Sequence, residues 1–146
     1  MLVIEDCFAA LVRAYMASPK FATYADETRE LWGRYLTLAA HPERLGAVSL
    51  QTIRPALVQA YIDGMSGKPG KQVASLAAIK QLESWAIVRD LLGRSITTGV
   101  ETEESNGGHT PWSDIHVELV EKHGRQDFAR LVVLGANTGQ RGSDLI

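Results

Sequence analysis

The sequence holds 146 residues, 45% of them hydrophobic, with 15 Lys and Arg against 17 Asp and Glu for a formal net charge of −2. That apolar content exceeds what a disordered segment carries, and the lack of any apolar run of about 18 residues excludes a membrane-spanning helix from the reading. A lone cysteine, Cys7, excludes an internal disulfide and a cysteine zinc site, and no basic-then-apolar leader opens the chain, so a cytoplasmic protein with no membrane partner is expected.

Apolar residues recur at helical spacing and no alternating stretch is long enough for a strand, so the expected fold class is all-α. Phe8, Leu11, Val12 and Tyr15 define a first helix, which ends near Ser18-Pro19 because proline biases its predecessor away from helix. A second places Thr28, Leu31, Trp32, Tyr35, Leu36 and Ala39 inward and stops before His41-Pro42. Its opening Asp26, Glu27 and Glu30 sit where the helix dipole favours negative charge. After a loop over 42–50 closed by Gly46, Thr52 is expected to cap a third helix with Ile53, Leu57 and Tyr61 on one face and Asp63-Gly64 at its end. The turn Ser66-Gly67-Lys68-Pro69-Gly70 leads to a long fourth helix over 71–92, with Leu76, Ile79, Leu82, Trp85 and Ala86 apolar and Gly93 as its stop.

Four helices thus fill residues 1–95, near the smallest size that sustains a core. Residues 96–109 turn polar and acidic, with Glu101, Glu103 and Glu104 ahead of Gly107-Gly108, and read as an exposed interdomain linker. Over 110–146 the helical pattern resumes. Thr110-Pro111-Trp112 opens a helix with Trp112, Ile115 and Leu119 on one face and Gly124 at its end, and Phe128, Leu131, Val132 and Gly135 mark another. Ser143 and Asp144 are N-cap residues, so a further helix is expected to begin there. Two helices cannot enclose a core of their own, and this part reads as a truncated domain.

Thr138, Gly139, Arg141, Ser143 and Asp144 together resemble the first catalytic box of the tyrosine recombinases, the phage integrase family. Trp112-Ser113-Asp114 is similar to the segment that opens that family's catalytic domain. Ala17-Ser18-Pro19-Lys20-Phe21-Ala22, Thr28, Lys68-Pro69-Gly70-Lys71 and Trp85-Ala86 resemble its core-binding domain, so the likeness runs in order through nearly the whole chain. It implies a SAM-like orthogonal four-helix bundle over 1–95 that grips DNA, a linker over 96–109, and the start of a catalytic domain over 110–146. Two departures stand out: Ser95-Ile96 where the family often has Asn-Pro, and Gln72-Val73-Ala74 where it often has Asn-Arg.

The resemblance implies double-stranded DNA as partner, self-association on recombination sites, and no metal, nucleotide or other small-molecule cofactor. Attack of a tyrosine hydroxyl on a phosphodiester builds negative charge on the non-bridging oxygens, and a guanidinium meets it with a permanent charge and a planar fork of donors. Arg141, between Gly139 and Gly142, is the expected catalytic residue. The family's lysine, His-x-x-Arg box and nucleophilic tyrosine would follow position 146, so this stretch alone is expected to be inert. For DNA contacts the resemblance points to Lys68, Lys71, Gln72 and Ser75 at the start of the fourth helix and to Thr28, Arg29 and Arg34 on the second, with Lys80 ranked lower.

Other chemistry is poorly supported. Tyr15, Tyr35 and Tyr61 fit apolar helix faces, Tyr24 precedes its helix, and His41, His109, His116 and His123 lack zinc or catalytic spacing. Charge divides unevenly, 11 Lys and Arg against 9 Asp and Glu over 1–100 and 4 against 8 over 101–146, which favours DNA binding by the first part. The acidic total keeps a second reading open: a non-enzymatic helical module that binds another protein.

Overall fold

A computed structural model describes residues 4–104 and 113–138, and every described element is helical. The chain divides into two compact units, 1–105 and 106–146.

In the first unit, α1 (Phe8–Met16) buries Phe8, Leu11, Val12 and Tyr15 as the spacing predicts. Pro19 then starts a separate turn, α2 (Pro19–Ala22), capped by the Ser18 hydroxyl, which accepts the Phe21 amide at 3.2 Å. α3 (Asp26–Ala39) buries Gly33, Leu36 and Ala39, while Leu31, expected inward, is exposed. Aromatic rings join these elements to the centre: Tyr15 meets Phe21 at 5.2 Å and Trp85 at 5.4 Å between centroids, and Tyr24 meets Trp32 at 4.8 Å.

Residues Pro42–Gly46 form one turn of wide, π-type helix. Gly46 is required there, because a Cβ would run into the carbonyl oxygen of Ala40. α4 (Pro55–Asp63) begins three residues after the expected Thr52 cap. The cause is Arg54-Pro55: the residue before proline is held extended, and proline takes the first helical position. Thr52 instead closes a turn onto the Ser49 carbonyl. Ile53 is fully buried in the extended approach to the helix rather than on its face.

α5 (Pro69–Ile87) is the central helix, packed by α1, α3 and α4, and it buries one broad side while Val73, Lys80, Gln81, Ser84 and Ile87 stay exposed on the other. It ends five residues before Leu92, the expected limit. Asp90 makes the exit turn in the left-handed conformation (φ 56°), and the Leu91 amide returns to the Ala86 carbonyl at 3.0 Å. Aspartate tolerates that conformation, so Gly93 is not needed as the stop.

From residue 96 the chain lies strapped along the first unit: Ile96 and Thr97 are buried, while Thr98, Gly99, Glu101, Glu103 and Glu104 are exposed. The buried Glu83 carboxylate accepts the Ser95 hydroxyl and the Ile96 amide, both at 2.8 Å. Further along, the Gln59 side chain pairs with both backbone groups of Glu101, accepting its amide at 2.8 Å and donating to its carbonyl at 3.2 Å. Polar partners such as these are what a segment without helical bonds of its own requires. The acidic composition of the stretch does not reveal them, because the glutamines that hold it, Gln72 and Gln59, lie 31 and 42 residues upstream of their partners.

The second unit contains α6 (Asp114–His123) and α7 (Gln126–Thr138), packed as a hairpin. Gly124 ends α6 as expected, and a Cβ at that position would strike the Val120 carbonyl. Ala129 is the one buried side chain among its described residues, and Ile115, Leu119 and Phe128 are exposed. The hairpin accordingly has no enclosed core among the described residues.

Candidate nucleic-acid interface

The residues expected to touch DNA lie on α3 and α5, which pack against each other. Lys68 occupies the N-cap position of α5, Pro69 follows at the first helical position, and Lys71 lies in the first turn. Both lysines are exposed, and no carboxylate among the described residues pairs with either. The amides of Lys71 and Gln72 close onto the Lys68 carbonyl at 2.9 and 3.1 Å, fixing the first turn that carries the two ammonium groups.

Gln72 and Ser75 behave differently. Each is 1% exposed, so the expectation that they face a duplex is corrected. Their positions, three residues apart, fall on the side of α5 that meets α4. The Gln72 amide nitrogen donates to the Ile62 carbonyl at 3.3 Å, its oxygen accepts the Glu103 amide at 2.7 Å, and the Ser75 hydroxyl reaches Met65 Sδ at 3.7 Å. A buried amide satisfied on both ends is structural, because breaking either bond leaves a polar group stranded.

On α3, Arg34 is well exposed and pairs with Glu30 at 3.3 Å, one turn away. Arg29 pairs with Asp26 and is half-buried, with its Nε shielded from solvent and unpartnered. Thr28 is partly buried. Exposed intrahelical pairs of this kind hold about 0.3–0.5 kcal/mol each, little enough for a phosphate to displace the carboxylate. Lys80 is exposed farther along α5.

Other basic residues are committed within the fold. Arg94 donates to the carbonyls of Gln51 and Ile53 at 3.2 and 3.3 Å, and Arg89 lies over the Trp85 ring at 4.7 Å while donating to the Trp85 carbonyl. Arg44 stands over the Tyr61 ring at 5.8 Å. Arg141 lies outside the described residues, as do Gly139, Ser143 and Asp144.

Among the tyrosines, Tyr15 is fully buried, and burial first, then the neighbouring Tyr24 phenol, push its hydroxyl far above the ordinary phenol range. Such a group does not ionise in the folded protein at neutral pH. Tyr24 donates to Gln81 at 3.3 Å. The described histidines are dispersed: His41 accepts the Glu43 amide, His116 contacts Ser113, and no metal-competent cluster occurs among the described residues.

One group that the sequence reading passed over stands beside the two lysines. The Glu103 carboxylate accepts the Ser66 hydroxyl at 2.6 Å and the Gly67 amide at 2.8 Å, in the turn that leads into α5. Those two donors hold the carboxyl below its ordinary range. Gly67 takes a positive φ of 76° there, which glycine alone adopts without strain. The contact spans 36 residues of chain, so no local pattern announces it.

Comparison with protein-family models, with curated proteins and with solved structures returned no match.

Proposed function

We propose that this chain carries the DNA-gripping front of a site-specific recombinase of the tyrosine type, with 1–105 as the unit that clasps the duplex. The observation that carries the reading is the pair Lys68 and Lys71, exposed, uncommitted and held in a fixed first turn of a 19-residue helix. Arg34 on the neighbouring helix adds a third positive group. Together they offer point charges to a phosphate backbone, with the positive end of the α5 dipole behind them. Thr28 and Arg29 support the contact from α3, while Gln72 and Ser75 hold the helix in place from inside. In this reading the bundle is of the SAM-like type, subunits associate on recombination sites, and Arg141 meets the scissile phosphate.

Fluorescence anisotropy with duplex DNA over a salt series tests the reading. Affinity falls as salt rises, and replacing Lys68 and Lys71 by alanine lowers the slope of log affinity against log salt by roughly one for each lost phosphate contact. No binding at low salt overturns it.

A non-enzymatic protein-binding module is the second reading, and Val73, Ile87 and Val88 favour it. These three apolar side chains are exposed on or just after α5, and a DNA contact has no use for them.

A further inference from the structure

The acidic strap and the basic helix start meet at one point. The Ser66 hydroxyl and the Gly67 amide converge on a single carboxylate, that of Glu103, which arrives from a different part of the chain. Two donors on one anion, immediately before Lys68 and Lys71, form an arrangement suited to a phosphate as well as to a carboxylate. Neither lysine closes an ion pair with Glu103, so the local positive charge remains uncompensated at short range. Glu101 and Glu104 are exposed on the same strap.

The geometry points to a competition: Glu103 occupies, in the free protein, the place of a DNA backbone phosphate, and duplex binding displaces it and loosens the end of the strap. This rests on the duplex-binding reading and adds to it a coupling between phosphate contact and the segment that leads out of the first unit. The Glu103 carboxylate is exposed, and its release requires no rearrangement of the core but leaves residue 103 held by the bond from its amide to Gln72 alone. Glu83 and Gln59 hold the strap farther back, at Ser95, Ile96 and Glu101. The release therefore begins at residues 103–104 and stops short of unfolding the unit.

The test compares the full chain with Glu103→Gln and Glu104→Gln, using a short DNA duplex at low salt with anisotropy for affinity and hydrogen exchange at the amides of residues 101–104. Removing the competing charge at 103 tightens duplex binding by up to about fivefold, the range of one exposed charge pair. Glu104→Gln, which breaks no clasp, changes affinity less. Adding duplex to the unmodified chain speeds exchange at residues 103–104. If the chain binds duplex but the variants bind alike and exchange is unchanged, the competition is wrong and duplex binding stands. Equal tightening by Glu104→Gln reduces the effect to bulk acidity and also overturns the competition. If neither the chain nor Glu103→Gln binds duplex at low salt, the duplex-binding reading fails and the competition fails with it.

Discussion

The side-chain oxygen of Gln72 accepts the backbone amide of Glu103 at 2.7 Å, while the nitrogen of the same side chain donates to Ile62. One glutamine thereby ties the end of α4, the start of α5 and the strap that follows the bundle. Its amide is 1% exposed, which makes each of these bonds costly to leave unmade.

Glu83 does the corresponding work at the other end of the strap, and its replacement by alanine should be among the more damaging single changes. It removes acceptors from the Ser95 hydroxyl and from the buried Ile96 amide. The expected loss is about 1–3 kcal/mol, the cost of stranding a buried donor. Urea denaturation reads it as a lower midpoint with an unchanged slope.

Gly46→Ala tests the tight turn after α3. Added bulk meets the Ala40 carbonyl, which is backbone and cannot swing aside. A destabilisation of roughly 1–3 kcal/mol is expected, the range for forced overpacking, read as a fall in thermal midpoint. Gly70→Ala is the control, since a Cβ at position 70 meets nothing within 4 Å.

Glu103 makes the strap's last tie sensitive to acid. Its folded value is lowered by the Ser66 and Gly67 donors, so the stabilisation is present above the ordinary carboxylate value of 4.5 and is lost as pH falls through the lowered one. The Gly67 amide resonance, followed by NMR on acidification, should move with a midpoint below 4.5, and Glu103→Gln should abolish the movement. A midpoint at or above that value would show the clasp to be absent.

Tyr15 acts at the opposite end of the pH scale. Its folded value is raised, so the contribution is complete below the ordinary phenol value of 10.0 and declines as pH rises beyond it, where the unfolded chain ionises and the folded one does not. Tyr15→Phe should flatten that alkaline decline relative to the unmodified chain. At neutral pH it should cost little, because the buried hydroxyl has no hydrogen-bond partner to lose.

The sequence disclosed what depends on neighbours in the chain. Helical periodicity located α1, α3 and α5, and Phe8, Leu11, Val12 and Tyr15 are buried where their spacing put them. Boundaries slipped where proline and left-handed aspartate overrode the pattern, at Arg54-Pro55 and Asp90. At the candidate interface, Lys68, Lys71 and Arg34 are exposed as expected, but Gln72 and Ser75 were misplaced. Polar side chains near a helix start read as surface, and the partner that draws Gln72 inward lies 31 residues away. The strap was illegible for the same reason: acidic composition reports solvation, not the specific donors that fasten Glu103 at Ser66 and Gly67.

The most direct measurement for the account as a whole is an NMR titration of the chain with a short DNA duplex at low salt. The predicted footprint covers the amides around Lys68, Gly70, Lys71 and Arg34 and weakens as salt is added. A footprint confined to the exposed apolar positions Ile87 and Val88, or no footprint at all, would contradict it.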